Sequence, residues 1–418
     1  MKQYVIIGNG TAAVGCIEGI RSIDRENPIL VISAEEHPVY CRPLISYYLE
    51  GKTDLKKIAY RPEDFYEKNN CTVLYKTSAL SVDPAQKTLQ LDNGSCVSYD
   101  ELCIATGSSP FVPPMEGLDS VKQKSTFLTL DDALTIEKSI TKNSRVLIIG
   151  AGLIGLKCAE GIRDSVGSIT VCDLAPRVLS SILDEESAAL VQTHLEKNGI
   201  QFLLGDSVAS FRETTAVMKS GKTVDFDFLV LAVGVRPNLS LVRDAGGQCG
   251  RAITIDTHMR TSLSGIYAAG DCTESMDISG NTVKVMALLP NAYMQGKCAG
   301  QNMAGTDTVF DQAIPMNSIG FFGLHTMTAG TCFDEKDGGS TYEERSEGSI
   351  KKLYMKDGLL TGFMMIGKVD RTGIYTSLIR NKTPLDTIDF ETLKQFPELS
   401  AFSREYRRKT LGGVKNGN

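Results

Sequence analysis

Val146-Leu147-Ile148-Ile149-Gly150-Ala151-Gly152-Leu153-Ile154-Gly155 decides the fold: an aliphatic run, three glycines spaced G-x-G-x-x-G, and a helical pattern that continues through Ile162. Such a stretch delivers a buried parallel strand into a tight turn. The glycines allow unusual dihedrals and close backbone approach, and the helix that follows turns its unpaired N–H groups and positive dipole end toward a pyrophosphate. Gly150, Gly152, Ile154 and Gly155 are therefore candidate dinucleotide contacts. The next apolar run, Ser168-Ile169-Thr170-Val171-Cys172, ends at Asp173, where a carboxylate accepts hydrogen bonds from an adenosine ribose. Glycines at this spacing also occur in purely structural turns. Here strand, glycines, helix, second strand and acid follow in order, which favours nucleotide binding.

The chain opens with a second unit of this kind. Tyr4-Val5-Ile6-Ile7-Gly8-Asn9-Gly10-Thr11-Ala12-Ala13 reads G-x-G-x-x-A before a helical segment to about Arg21, and Ile29-Leu30-Val31-Ile32 leads to Glu35 and Glu36. Two dinucleotide-type units imply two dinucleotides, and one flavin with one nicotinamide is the economical pairing. The expectation is a hydride-transfer enzyme.

Bulk properties agree. A chain of 418 residues has room for two or three domains with sizeable cores. Its 42% hydrophobic and 22% charged residues are ordinary for a globular protein, and its 39 glycines suit repeated backbone–phosphate contact. A net charge of −6 argues against nucleic acid as the main partner. Residues 3–7 already read as the first strand, leaving no room for a signal peptide, and no apolar run approaches the roughly 18 residues of a membrane span. The expected location is the cytoplasm. The eleven cysteines are scattered, with no C-x-x-C, so neither a metal cage nor a local redox disulfide is indicated. The four histidines (His37, His194, His258 and His325) show no metal spacing, and no metal site is expected.

Further motifs stand between these units. His37-Pro38-Val39-Tyr40-Cys41-Arg42-Pro43-Leu44-Ile45-Ser46 is a proline-stiffened loop in which Arg42 offers a fork of donors for a pyrophosphate or flavin edge; an ordinary surface arginine is the alternative. Beyond it come Cys103-Ile104-Ala105-Thr106-Gly107, Ala232-Val233-Gly234-Val235-Arg236-Pro237-Asn238 and Ile266-Tyr267-Ala268-Ala269-Gly270-Asp271. Near the end are Gly373-Ile374-Tyr375 and Arg380-Asn381-Lys382-Thr383-Pro384-Leu385. Together these motifs resemble the two-dinucleotide flavoprotein disulfide reductase superfamily, in the branch of rubredoxin reductases, NADH oxidases and the flavin part of nitrite reductases.

The resemblance implies an α/β fold: two Rossmann-like domains, for FAD and NAD, plus a small C-terminal α/β interface domain. The FAD domain would be discontinuous, residues 1–112 and 240–312, with the NAD domain at 113–239 and the interface domain at 313–418. Gly8, Gly10 and Ala13 would cradle the FAD pyrophosphate, and Glu35 would bind its adenosine ribose. Ala79 would meet the adenine, Thr106 and Gly107 would form the exit turn, and Asp271 would bind the ribityl chain. For Asp271, a helix N-cap ahead of Cys272-Thr273-Glu274 is the competing assignment. Gly234 joins Gly150 and its neighbours on the NAD side. Asp173 repels a 2′-phosphate, so NAD(H) is favoured over NADP, with Arg177 as a moderating cation. The helix around Met286–Gly296 would point its N-terminus at the flavin.

Two departures from the family pattern shape the chemistry. Thiol-using branches carry a single redox cysteine where Pro43 stands, and Cys41 falls two residues short, so thiolate chemistry beside the flavin is not expected. Relatives usually carry Glu two residues after the last glycine, where this chain has Lys157; a lysine near the flavin would favour negative charge on the reduced ring, and a solvated helix lysine is the alternative. The resulting expectation is electron transfer between NADH and an iron–sulfur carrier such as rubredoxin or a ferredoxin, alone, as a homo-oligomer or within a larger redox complex. An NADH oxidase or peroxidase, the flavin subunit of a nitrite reductase-type system, and a flavin-binding signalling protein are the rivals. Arg404, Arg407, Arg408, Lys409 and Lys415 make the tail basic, fit either for an acidic partner or for solvent.

Overall fold

The computed structural model describes residues 2–411 and divides into two compact units. The first runs to Ser275 and includes Lys284–Asp311; the second contains Met276–Val283 and the residues from Gln312 onward.

Each glycine-turn stretch of the first unit builds a sheet of the same plan. One sheet orders its strands Ile266–Ala268, Glu101–Ile104, Tyr4–Ile7, Ile29–Ile32 and Cys71–Leu74, all parallel. The other orders Ile200–Leu204, Ser168–Asp173, Arg145–Ile149, Phe228–Leu231 and Lys124–Thr126, again all parallel. In both, the strand that enters the glycine turn is central and covered on both faces, which is why Tyr4–Ile7 and Val146–Ile149 read as unbroken apolar runs rather than alternating ones. Each half also carries a three-stranded antiparallel sheet, Ala79–Asp83 with Thr88–Leu91 and Cys96–Ser98, and Val208–Arg212 with Thr215–Met218 and Thr223–Asp225. An antiparallel ribbon of Ser108–Pro110 and Val235–Pro237 runs between the halves.

Helix Thr11–Arg21 packs against helix Leu289–Met303 at backbone contact distance. A Cβ on Gly15 would lie 2.3 Å from the Tyr293 carbonyl oxygen, and one on Gly296 would lie 2.0 Å from that of Ala12. Gly19 and Gly300, one turn further along, are equally confined. Only glycine lets the two axes approach this closely, and the surrounding core of Ala13, Cys16, Ile17 and Ile20 with Cys298, Ala299 and Met303 follows from that approach.

The second unit is an antiparallel sheet ordered Met316–Phe321, Leu324–Gly330, Leu359–Ile366, Ser349–Lys356 and Ser340–Ser346. Helix Thr372–Arg380 covers it through Tyr375, Leu378 and Ile379. Residues Met276–Val283, which the sequence reading places with the FAD-binding segment, group instead with this unit. Two bonds tie them to it: the buried Asp277 accepts from Thr331 Oγ1 at 3.0 Å, and Ile278 N–H donates to the Ala313 carbonyl at 3.1 Å. The tail forms a helix, Arg404–Leu411, with Arg404, Arg407 and Arg408 exposed; Lys415 and the side chain of Lys409 lie outside the described residues. Among the described residues, no helix is long and apolar enough to cross a membrane.

Candidate functional site

The two glycine turns have one construction. Gly8 has φ +113° and Gly150 +115°; a Cβ would lie 2.1 Å from the Ala105 carbonyl oxygen at the first and 2.2 Å from that of Ala232 at the second. Each turn is pressed against the exit of the neighbouring strand, and only glycine fits. Gly10 and Gly152 then stand at the N-caps of Thr11–Arg21 and Leu153–Ile162, without a side-chain cap and with open space where their Cβ would be. First-turn N–H groups, which no intrahelical carbonyl reaches, face that space, and the arrangement fits the pyrophosphate of a dinucleotide.

The third motif position does something else. Ala13 is fully buried in the core, and a Cβ on Gly155 would lie 2.0 Å from the Gly150 carbonyl oxygen. These residues set how closely helix meets turn, so Ala13 supports the cradle from behind rather than touching its contents.

A cavity of about 380 Å³ opens at the Gly8 turn. It gathers Gly8, Gly10, Glu35, Arg42, Ala79, Thr106, Gly107 and Asp271, residues drawn from separate stretches of sequence. Glu35 is held from two sides: Tyr40 Oη donates to its Oε2 at 2.7 Å, and Arg42 Nη2 donates to its Oε1. Arg42 also donates from Nη1 to the Leu128 carbonyl at 3.1 Å, so it is built into the wall rather than waving at the surface. Burial pushes the Asp271 carboxyl above its ordinary range, while Arg42 and a hydrogen bond from Ser108 oppose that shift. Thr273–Asp277 is a strand, which removes the N-cap assignment for Asp271 and leaves its side chain to the cavity. Leu289 and Ala292 bring the start of the fifteen-residue helix Leu289–Met303 to the same cavity.

In the second half, Asp173 Oδ2 accepts from Ala151 N–H at 2.7 Å and Oδ1 from Ala175 N–H at 2.8 Å. The acid braces the glycine turn and remains half-buried at the strand end where a ribose would lie. Arg177 donates to the carbonyls of Leu183 and Ser180 and is thus committed to backbone. Ile154 is half-buried in the first turn of its helix; Gly234 is exposed at φ +111° just past strand Phe228–Leu231.

Lys157 is not a solvated helix lysine. Its side chain is 14% exposed, pairs with Glu160 (5% exposed), and stands 4.7 Å over the Tyr47 ring. Tyr47 belongs to helix Leu44–Leu49, which Pro43 begins as N-cap, so Lys157 sits where the flavin-side loop meets the second cradle's helix. Pro43 itself does not line the cavity. All eleven cysteines are free, and burial pushes the Cys41 thiol up, away from the thiolate form. The structure also brings the ligand atoms of Glu36, His37 and Asp131 within 4.8 Å of one another, a grouping that spacing along the chain does not reveal. Glu36 is taken by Lys76, and His37 Nε2 lies 2.8 Å from Asp131 Oδ1.

Sequence reasoning missed Tyr40 and Asn238. Asn238 N–H donates to the Gly107 carbonyl at 3.0 Å, its Nδ2 donates to the Thr106 carbonyl at 2.9 Å, and its own carbonyl accepts from Thr106 Oγ1 at 2.8 Å. It therefore fixes the exit turn of the cavity from the other half of the unit. Its place directly after Arg236-Pro237 was the available signal.

The Gly10→Val variant tests the cradle without testing the fold, because its side chain enters open space. It is expected to melt with the wild-type apoprotein and to bind FAD at least about tenfold more weakly, a difference of about 1.4 kcal/mol, read from flavin absorbance per chain after desalting. Undiminished flavin content would contradict the assignment.

The family model for pyridine nucleotide-disulphide oxidoreductases matches residues 2–296. NADH-dependent phenylglyoxylate dehydrogenase subunit epsilon of Aromatoleum evansii is 29% identical over 391 residues, covering 92% of each chain. The NADH oxidase of Methanocaldococcus jannaschii is 35% identical over 322 residues, 74% of this chain and 71% of that one. The NADH-rubredoxin oxidoreductase of Clostridium acetobutylicum is 26% identical over 369 residues, 88% and 92% of the two chains. A crystal structure of NADH:rubredoxin oxidoreductase from the same organism has a TM-score of 0.73 at 23% identity, covering 92% of this chain and 94% of that one. With its two matched dinucleotide cradles, the chain belongs to the pyridine nucleotide-disulphide oxidoreductase family, as an NADH-dependent flavoprotein enzyme of the rubredoxin reductase and NADH oxidase branch.

Proposed function

We propose that the chain passes electrons from NADH, through FAD, to an iron–sulfur carrier of the rubredoxin or ferredoxin type in the cytoplasm, either free or within a larger redox complex. The observation that carries this reading is the flavin-side loop. Pro43 stands where thiol-using relatives place cysteine, and the thiol nearest to it in sequence, Cys41, is half-buried and pushed toward its protonated form. Without a thiolate, no sulfenate or mixed disulfide is available, and direct transfer to an outside acceptor is left. The relative named NADH-rubredoxin oxidoreductase supports such an acceptor, and the one named as a dehydrogenase subunit supports a larger complex.

FAD, when bound, accepts a hydride from NADH and releases electrons to the acceptor; the protein supplies position and electrostatics. Gly8 and Gly10 hold the pyrophosphate of FAD, Glu35 its adenosine ribose and Ala79 the adenine. Thr106, Gly107 and Asp271 hold the far end, with Arg42 in the wall and Pro43 starting the helix behind it. Gly150, Gly152, Ile154 and Gly234 hold NADH, and Gly155 sets how closely the helix meets the turn. Asp173 accepts from its ribose and disfavours the 2′-phosphate of NADP. Lys157, fixed by Glu160 and Tyr47 between the cradles, places positive charge where the reduced ring gains negative charge. A second reading, an oxygen-consuming NADH oxidase, is favoured by the Methanocaldococcus jannaschii relative.

Both readings answer to one experiment. Anaerobically NADH-reduced protein is mixed rapidly with rubredoxin, a ferredoxin, oxygen or hydrogen peroxide while flavin reoxidation is followed. Reoxidation by an iron–sulfur protein at least about tenfold faster than by oxygen is expected; the opposite ranking makes the chain an oxidase. The Lys157→Ala variant is expected to lose about tenfold in the rate of flavin reduction and about 30 mV in flavin midpoint potential, the two-electron equivalent of tenfold in equilibrium. No change in either quantity would remove Lys157 from the mechanism.

A further inference from the structure

We propose that Tyr40 couples the two dinucleotide sites: its hydroxyl ties the acid of the flavin-side cavity to the first turn of a helix in the nicotinamide half. This rests on the reading that the Gly8 cavity holds FAD and the Gly150 cradle holds NADH.

Tyr40 lines the cavity and is 9% exposed. Its Oη donates to Glu35 Oε2 at 2.7 Å and accepts the Leu130 N–H at 2.9 Å, so the hydroxyl's single proton and a lone pair are both used. Burial pushes the phenol above its ordinary value, with Arg42 opposing and Glu35 reinforcing the shift, which keeps the donated proton in place. Leu130 is the first residue of helix Leu130–Ser139, and its N–H is one of those that no intrahelical carbonyl reaches. The tyrosine hydroxyl is therefore this helix's external cap.

Two further contacts run along the same seam. Arg42 Nη1 donates to the Leu128 carbonyl, and His37 Nε2 lies against Asp131 Oδ1. One segment, 35–42, thus meets another, 128–131, at three points. The second segment is internally stiff: Thr129 and Asp132 form a reciprocal capping box, and Asp132 Oδ2 also accepts from Leu128 N–H at 2.8 Å. Strand Lys124–Thr126, just before it, pairs with Phe228–Leu231, which pairs with the strand that enters the Gly150 turn. A restraint applied at Leu130 is two strands from the second cradle.

The consequence is thermodynamic. Glu35 and Arg42 face the cavity and also hold the seam, so a ligand that fixes them orders segment 35–42. Tyr40 passes that order to Leu130. The second dinucleotide then meets a half that is already ordered, and the same coupling must act in reverse.

The test uses the full chain, stripped of flavin and reloaded, with amide hydrogen exchange over 128–136 and calorimetric titration with NAD⁺. FAD is expected to slow exchange over 128–136 and to tighten NAD⁺ binding, each by about fivefold or more, the lower end of ordinary coupling. In Tyr40→Phe, which keeps the ring and deletes the hydroxyl, both effects, read at saturating FAD, fall below about twofold. Full coupling in that variant overturns the proposal. So does equal exchange and equal NAD⁺ affinity with and without FAD in the wild-type chain, a comparison that stands even where Tyr40→Phe does not fold. A chain that takes up no FAD fails both this inference and the functional reading; one that takes up FAD without these effects fails the inference alone.

Discussion

A peptide carbonyl standing where a side chain would begin is the constraint on which this protein depends. It acts twice, at Gly8 against Ala105 and at Gly150 against Ala232, with nearly the same φ and the same distance. Each contact pins a glycine turn to the exit of the neighbouring parallel strand. The next helix then starts at an uncapped glycine, with its N–H groups facing open space. Any side chain at Gly8 or Gly150 would push the turn off the sheet and redirect the helix dipole. The shared plan of the two five-stranded sheets is the scaffold that reproduces this geometry in both halves.

What surrounds the two turns makes them unlike. At the first, a second helix, Leu289–Met303, lies against Thr11–Arg21 through four confined glycines and brings its own N-terminus to the cavity. Arg42 and Glu35 add charges bonded to each other, and Asp271 adds a buried carboxyl offset by Arg42 and Ser108. Such a walled site suits a cofactor that stays. At the second, Asp173 braces the turn through two backbone N–H groups, and the exposed Gly234 stands nearby. That more open arrangement suits a nucleotide that arrives and leaves. Between them, helix Leu44–Leu49 crosses helix Leu153–Ile162, with the Ser46 carbonyl 2.8 Å from where a Gly161 Cβ would be, and there Lys157, Glu160 and Tyr47 form a buried charged cluster.

Those parts of the site that obey local rules were legible in the sequence. Gly8, Gly10, Gly150 and Gly152 announce themselves by spacing after an apolar run, and Glu35 and Asp173 by their place at the end of the following strand. Parts made by contacts between distant segments were not. Tyr40 matters because its hydroxyl meets Leu130, ninety positions away, and Asn238 because it folds back onto Thr106 and Gly107. The motif's three small positions suggest a cofactor contact at Ala13, but complete burial puts that residue in the helix–core packing. The burial of Lys157 was invisible because Tyr47, which covers it, belongs to a helix that crosses its own; only Glu160 lies at local spacing. The grouping of Met276–Val283 with the second unit likewise depends on Asp277 reaching Thr331.

In the proposed function the first cradle holds a flavin and the second holds the NADH that reduces it. An anaerobic absorbance titration of the purified, FAD-loaded chain with NADH tests it most directly. Stoichiometric bleaching is expected, one NADH consumed for each flavin reduced, with NADPH at equal concentration acting at least about tenfold more slowly because of Asp173. A flavin that stays oxidised under NADH, yet is bleached by a chemical reductant, would contradict it.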